Sequence, residues 1–159
     1  MNSEILFIIE QIKETYEGDP WFGRNAKALI TEVNEQAVFE KPNGQHSILE
    51  LVWHMITWRE FTINRLRNDK ENDLHYFEVN DWRNLDHADK SLWQQALHRL
   101  HQTQNELIEV LQTQRDNNLL SQRVEGREYD FRKLLNGVFQ HDIYHLGQIA
   151  YIKKLLESS

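Results

Sequence analysis

Hydrophobic residues recur along most of this chain at intervals of three and four positions, which is the repeat of an amphipathic α-helix. Polar stretches that contain most of the glycine and proline separate these periodic segments. The pattern predicts five helical segments. They run from Asn2 or Ser3 to about Tyr16, through a short segment opened by Pro20, from Ser47 to about Asn68, from Ser91 to about Leu111, and from Asp130 to about Leu156.

Three of the predicted helices begin at residues that are typical of helix caps. Ser47 with Glu50, and Ser91 with Gln94, match the capping box, and Asp130 is a good cap for the last helix. Four of the predicted helices are long, and two long connections join them. The sequence therefore predicts an all-α fold in the form of a four-helix bundle.

The connections differ in what they predict. Residues 34–44 indicate a loop. Residues 69–90 form a polar segment that is long for a structureless connection, which predicts a short helix or a functional loop with Trp82 as an anchor. Residues 122–129 contain Glu125-Gly126, a tight-turn signal that would join two short extended segments.

The helix predicted after Ser47 is hydrophobic over a wide arc. One stripe contains Ile48, Val52, Met55, Ile56, Ile63 and Leu66, and the neighbouring stripe contains Leu51, His54, Trp58 and Phe61. A helix of this kind packs against other elements on more than one side. His54 is therefore expected to face the interior of the protein.

Two histidines interrupt the hydrophobic face of the last predicted helix. Within roughly 60° of Leu134, at about 100° per residue, lie Val138, His141, His145, Ile149, Ile152 and Leu156. Asp142, Lys153 and Lys154 are predicted to point elsewhere. His141 and His145 share a face with Cβ atoms roughly 5–6 Å apart, a spacing at which both rings can bind one metal ion.

Two imidazoles hold a divalent ion weakly, so a third ligand is expected from another helix, and His54 is the candidate. Three neutral imidazoles leave a coordination position open for water or substrate, which is typical of a reactive site. The alternative is that these histidines are hydrogen-bonded core residues. The other histidines are predicted to lie on the surface, with His101 as the first substitute for His54: His46, His75, His87, His98 and His101.

Composition limits the classes of function. A chain of 159 residues with 40% hydrophobic residues is expected to form one globular domain. The net charge of −7 disfavours nucleic acid and anionic membranes as partners. The absence of cysteine excludes disulfides and thiolate ligands. No segment has the pattern of a signal peptide or the length of a membrane span, so a cytoplasmic protein is expected.

Three segments make the chain resemble the DinB-like superfamily of bacterial four-helix-bundle proteins. The segments are Pro20-Trp21-Phe22-Gly23, residues 46–54 with Trp53-His54 at their end, and residues 137–149 with the paired histidines. The last two are the most specific, and the resemblance covers nearly the whole chain.

The resemblance implies a single DinB-like domain over residues 1–159, with the helices ordered up-down-down-up or similarly. It also implies that His54, His141 and His145 bind a divalent metal ion and that the chain forms a homodimer. It implies neither DNA polymerase activity nor DNA binding.

Characterised relatives in this family include thiol transferases that use low-molecular-weight thiols such as bacillithiol, and a mycothiol-dependent isomerase. The first functional expectation is therefore a metal-dependent thiol S-transferase in stress response or detoxification, with a small thiol as cosubstrate. A metal ion beside an open position favours the reactive thiolate. Arg59, Arg65 and Arg67 are candidates for binding a carboxylate of the thiol, although a solvated helix face is the preferred interpretation.

Two alternatives stay open. A metal-activated hydrolase needs a general base near the bound water, but Asp142 and Glu50 lie off the histidine stripe. Gln148 lies near the stripe and can hydrogen-bond a water, although it cannot act as a base. The other alternative is a non-enzymatic, stress-related module in which the metal is structural or sensory.

Imidazole ligands do not define the metal. Zinc and nickel are the first candidates, and iron, manganese and cobalt also accept imidazole. Tyr144, Gln148 and Trp58 are the expected neighbours that orient the histidine rings. Substrate specificity is expected from the loop around Trp21 and from the two polar connections of residues 69–90 and 122–129.

Overall fold

The structure of the protein is a computed structural model that describes residues 1–158, and this part of the chain is all-helical without a β-strand. The predicted all-α class is thereby confirmed. The α-helices are α1 (Ser3–Glu17), α2 (Ala26–Glu32), α3 (Ile48–Arg67), α4 (Leu74–Val79), α5 (Ser91–Gln112) and α6 (Phe131–Glu157), with short 3₁₀ turns at Ala37–Phe39, Pro42–Gly44 and Asn118–Ser121. Within the described residues, no helix is both long enough and apolar enough to cross a membrane.

Caps fix the starts of α3 and α6 as predicted. The Ser47 hydroxyl accepts the backbone N–H of Glu50 at 3.1 Å, and the Glu50 carboxylate accepts the backbone N–H of Ser47 at 2.8 Å. Asn68 ends α3 in the left-handed region at φ 52°. The Asp130 carboxylate accepts the backbone N–H of Lys133 at 2.9 Å at the start of α6. The residues at which both histidine-bearing helices begin are therefore set locally.

The predicted start of the second helix at Pro20 is wrong. Residues 21–23 form a turn, and Gly23 adopts a φ of 140° that ends any helical continuation. The helix begins only after Asn25, whose side chain accepts the N–H of Ala28 at 2.8 Å and donates to the Gly18 carbonyl at 2.7 Å. Asn25 is thus the better cap, because one amide side chain satisfies two backbone groups.

The capping box predicted at Ser91 is also wrong. Ser91 is the first residue of α5, and its hydroxyl donates to the Asp89 carboxylate at 2.6 Å. The Gln94 side chain donates to the Glu35 carboxylate at 2.9 Å instead of returning to the helix start. Both side chains take a charged acceptor in preference to a neutral backbone partner, since bonds to ionised groups are stronger.

The two polar connections follow their predictions in part. Residues 69–90 contain the short helix α4, as predicted. In residues 122–129, the Val124 N–H donates to the Tyr129 carbonyl at 2.9 Å around a turn in which Gly126 has a φ of 77°. Only an isolated bridge forms between Arg123 and Asp130, so this turn joins no true strands.

The long helices pack pairwise. Helix α3 lies against α5 and α6, and α1 lies against the same two helices. Their buried hydrophobic side chains form two separate clusters. The first lies around residues 48–56 and 146–152, and the second lies around residues 5–12 and 131–139. Polar side chains occupy the layer between the two clusters.

A buried ion pair crosses this polar layer. The guanidinium of Arg59 donates to Asp142 Oδ2 through Nε at 2.9 Å and Nη2 at 2.7 Å, and Nη1 donates to Gln104 Oε1 at 3.0 Å. Both charged side chains are only 2% exposed. The pair therefore ties α3 to α6, and its third hydrogen bond ties α3 to α5.

We expect Asp142→Leu to lower the free energy of unfolding by about 3–5 kcal/mol, because it leaves the Arg59 charge buried without its partner. The matched control is Arg67→Met, which removes an exposed pair with Glu106 and should cost no more than about 1 kcal/mol. Urea unfolding in the presence of a chelator measures both. The double variant Arg59→Met/Asp142→Leu should recover much of the loss. Equal effects of Asp142→Leu and Arg67→Met would contradict this role of the pair.

Candidate metal centre

The structure brings His54, His141 and His145 together, with one ring nitrogen of each within 4.8 Å of the others. His54 comes from the middle of α3, and the other two lie one turn apart on α6. The Nε2 atom of His141 lies 3.0 Å from the Nε2 atoms of both His54 and His145. His54 and His145 are buried, and His141 is half-buried.

Hydrogen bonds at the far side of the rings orient two of the three histidines. The Nδ1–H of His54 donates to the backbone carbonyl of Asp81 at 2.8 Å, with the Asp81 carboxylate 3.1 Å away. The Nδ1–H of His145 donates to Gln148 Oε1 at 2.5 Å. These bonds leave the Nε2 lone pairs of His54 and His145 free and directed at the shared centre.

This arrangement cannot satisfy all three rings without a further group. If His141 carries its proton on Nε2, it can donate to only one of its two neighbours, and the other contact opposes two lone pairs. If the proton is on Nδ1, that atom is buried without a hydrogen-bond partner. A cation bound by the three Nε2 lone pairs removes the repulsion between them and places the His141 proton on Nδ1, which has no hydrogen-bond partner among the described residues. Nitrogen atoms about 2.0–2.1 Å from one ion lie roughly 3.0–3.4 Å apart, so the observed spacing fits.

Aromatic rings enclose the centre. Trp82 stacks on His54 with ring centroids 4.0 Å apart, and His46 stacks on the other face of Trp82 at 3.6 Å. Tyr144 lies edge-on to His145 at 5.1 Å. Trp58 donates from its indole N–H to the Asp81 carboxylate at 2.6 Å and so fixes the residue behind His54.

Burial lowers the pKa values of His141 and His145, which favours their neutral forms. Burial, together with the nearby rings of His145 and His54 and the Arg59 charge, lowers the pKa of His141 from 6.5 to about 3. Burial also lowers the pKa of His145, although the hydrogen bond that His145 donates to Gln148 opposes the shift. Neutral imidazole is the form that binds a metal ion.

Asp142 is buried, although its side chain was predicted to point away from the hydrophobic face of the last helix. It is 1% exposed and is held by Arg59, which is 2% exposed, so a solvated helix face is wrong for that arginine. Arg65 is also buried, and it donates to the Glu125 carbonyl at 3.1 Å. Arg67 is exposed and paired with Glu106. The prediction failed because periodicity shows only which face is apolar, and it does not detect a buried partner of opposite charge.

The other histidines lie outside the triad. His101 is exposed and faces the Tyr16 hydroxyl at 3.2 Å, so it is not needed as a substitute for His54. His46 is exposed but reaches the centre indirectly through Trp82. His87 is half-buried, with Nε2 3.2 Å from the Ser47 hydroxyl at the start of α3.

A cavity of about 340 Å³ opens beside the triad and reaches His141. It lies between α3 and the first half of α6. Its walls are mainly hydrophobic: Trp58, Phe61, Thr62, Tyr129, Lys133, Leu134, Gly137, Val138, Gln140 and His141. The triad therefore borders a space that is large enough for a small organic molecule.

A sequence model of the DinB superfamily matches residues 22–149, which include all three histidines. The chain belongs to the DinB superfamily. No curated protein and no solved structure matches it in sequence or fold comparisons. The family resemblance noted from residues 46–54 and 137–149 is thus confirmed.

The sequence did not identify Asp81 as a group that orients a ring in this DinB-superfamily chain. Asp81 and Trp82 lie in the long connection of residues 69–90, which was predicted to form a short helix or a functional loop with Trp82 as an anchor but with no role for Asp81. Tyr129, from the second polar connection, lines the cavity. Trp21 is fully exposed and does not line it. Only the length of the connection of residues 69–90 and its single tryptophan signalled the Asp81-Trp82 pair.

The metal-free protein should lose stability as the pH falls from 6.5 toward about 5. The unfolded chain binds protons at histidines that the folded chain keeps neutral, so unfolding takes up protons in this range. A histidine with a lowered pKa contributes stability above 6.5 that is progressively lost at lower pH. Glu50 and the other carboxyl groups with lowered pKa values titrate mainly below 4.5 and interfere little.

Chemical denaturation across this pH range tests the expectation. The slope of the unfolding free energy against pH measures how many protons the chain takes up when it unfolds. His141→Gln should reduce this number by up to about one. His98→Gln, at an exposed position on α5, is the matched control and should leave the slope near the wild-type value. An unchanged slope in His141→Gln would contradict a neutral, buried His141.

Proposed function

We propose that this chain binds one divalent metal ion through the Nε2 atoms of His54, His141 and His145, and that it is a metal-dependent transferase for a low-molecular-weight thiol. The observation that carries the proposal is the convergence of three Nε2 atoms, with His141 3.0 Å from each of the other two. Membership in the DinB superfamily supports it.

The chain's own groups have distinct tasks in this proposal. Asp81 and Gln148 hold the rings of His54 and His145 by their Nδ1–H groups. A bound divalent ion would supply a Lewis-acid position that favours the thiolate form of a thiol. The chain has no cysteine, so the thiol has to arrive as a cosubstrate. The hydrophobic walls of the cavity beside His141 would limit the access of water to the reacting atoms.

The carboxylates near the triad are engaged elsewhere, which favours thiol transfer over hydrolysis. Asp81 lies on the Nδ1 side of His54, away from the shared centre. Asp142 binds Arg59, and Glu50 binds Lys41 and the Ser47 N–H. A metal-activated hydrolase needs a base for water, whereas a thiolate attacks an electrophile without one.

Several finer features belong to the same proposal. Zinc or nickel is the preferred ion, with iron or manganese next. All four metals accept imidazole ligands. The helices form a four-helix bundle in up-down-down-up order, and residues 1–159 form one domain. The chain works in the cytoplasm as a homodimer, with neither nucleic acid nor membrane as partner.

Elemental mass spectrometry of the purified protein should find about one ion per chain after reconstitution with zinc or nickel. His54→Ala and His141→Ala should each lose most of this ion, because two imidazoles bind a divalent ion weakly. His98→Ala, which removes an exposed histidine on α5, is the matched control and should keep the full content. Equal ion content in His54→Ala and His98→Ala would disprove the triad as the metal site.

The reconstituted protein should accelerate the reaction of bacillithiol, glutathione or coenzyme A with a chromogenic electrophile such as 1-chloro-2,4-dinitrobenzene. The rate should return to the uncatalysed value in His54→Ala and after chelation, because both remove the ion. The loss of free thiol measures the reaction. An ion-loaded protein that turns over none of these thiols with a panel of electrophiles would overturn the transferase proposal and leave the metal site intact.

A further inference from the structure

The cavity beside His141 has one charged end and one end at the triad. Lys133, Gly137 and His141 are spaced four residues apart on α6, so they follow one another along one side of the helix. All three line the cavity. The distance along the helix axis from Lys133 to His141 is about 12 Å, at about 1.5 Å per residue.

Gly137 leaves the space between these two ends open. Glycine within a helix is less favourable than alanine by about 0.5–1 kcal/mol, so it needs a compensating reason. A Cβ atom built at Gly137 meets no heavy atom within 4 Å, so close packing does not require glycine there. The missing side chain instead gives a ligand access to the wall formed by Trp58 and Val138.

Lys133 provides a free positive charge at the entrance. Its side chain is exposed, its ammonium nitrogen lies 5.8 Å from the centre of the Tyr129 ring, and no carboxylate of the described residues pairs with it. The nearest carboxylate in sequence, Asp130, accepts the Lys133 backbone N–H and pairs with Arg132. The chain as a whole carries a net charge of −7 and therefore repels anions. An unpaired cation at an apolar cavity attracts an anion to that one place.

The remaining cavity walls are mainly hydrophobic or aromatic, with Phe61, Leu134 and Val138 beside Trp58 and Tyr129, and the other polar residues that line the cavity are Thr62 and Gln140. A volume of about 340 Å³ lies within the range of pockets that bind small organic molecules. These walls match an aromatic or branched aliphatic body. They do not match a polar sugar, which would lose its hydration without new hydrogen bonds.

We propose that this cavity is the subsite for an organic anion with an apolar body, whose carboxylate or sulfonate binds Lys133 and whose opposite end lies at His141. Binding of the anion follows from the cavity alone, whereas reaction of its opposite end rests on the proposed metal-dependent function. In that reaction the sulfur of the thiolate would form a bond to an electrophilic carbon of the anion, the carbon–halogen bond would break with its electron pair leaving as halide, and the thiol proton would pass to water. Lys133 is a binding residue that selects the acceptor.

Two fluorescent probes distinguish the contribution of the charge to binding from the contribution of the apolar contacts. The probes are 1-anilinonaphthalene-8-sulfonate, which carries an anionic group on an aromatic body, and N-phenyl-1-naphthylamine, which has the same body without the charge. Fluorescence titration of the wild type should show tighter binding of the anion. Lys133→Met should lower the affinity for the anionic probe about tenfold, as expected for loss of a charge-assisted contact. The affinity for the neutral probe should stay within about twofold of the wild-type value.

Gly137→Leu tests the location. The added side chain should fill the cavity and abolish binding of both probes. Gly147→Leu is the matched control, because Gly147 also lies within α6 with no heavy atom within 4 Å of a built Cβ, yet it does not line the cavity. Wild-type affinity for both probes in Gly137→Leu, or an equal loss in Gly147→Leu, would overturn the proposal. So would an unchanged affinity for the anion in Lys133→Met.

Ion content separates this proposal from the proposed metal site. Gly137→Leu should lose the probes and keep the ion, because position 137 makes no contact with the ring nitrogens of the triad. His54→Ala should lose the ion and keep the probes, because His54 does not line the cavity. Loss of probe binding in His54→Ala would contradict an independent cavity, whereas a wild-type protein without an ion could still confirm the anion subsite.

Discussion

The position of α3 against α6 depends on a buried ion pair between Arg59 and Asp142. Both side chains are 2% exposed, and two guanidinium nitrogens contact one carboxylate oxygen. A shift of either helix would separate two desolvated charges, which is costly in a nonpolar interior. Arg59 lies five positions after His54, and Asp142 follows His141 directly. The pair that locks the helices therefore also holds the candidate ligands in register.

The same ion pair explains why the hydrophobic core is divided. The two apolar clusters lie at opposite ends of the long helices, and Arg59, Gln104, Asp142 and the histidine triad occupy the layer between them. Within this layer, hydrogen bonds satisfy the arginine, whereas Asp142 Oδ1 and His141 Nδ1 have no hydrogen-bond partner among the described residues. The layer thus has one side where Arg59 ties the helices together and an open side where the triad borders the cavity. Burial of polar groups, which usually costs stability, here provides a rigid frame for chemistry.

The open side combines groups that are far apart in the sequence. The α3–α6 contact supplies the three rings, the connection of residues 69–90 supplies Asp81 and Trp82, and the turn before α6 supplies Tyr129 for the cavity. Helices hold the rings rigidly, and the connections add the groups that orient them and shape access. Changes in the connections can therefore alter the shape of the cavity while the triad stays in place.

The sequence by itself determined the long helices, the caps at Ser47 and Asp130 and the shared face of His141 and His145, because periodicity and capping depend on residues within a few positions. The hydrophobic stripe of the helix after Ser47 also predicted His54 as their partner, and the resemblance to the DinB family, now confirmed, implied the same residue. The tertiary structure alone decided the burial of Asp142, because that burial requires Arg59 from another helix. It also decided the role of Asp81 and the open cavity at Gly137. These features depend on segments that meet only after folding, and no local pattern encodes such a meeting.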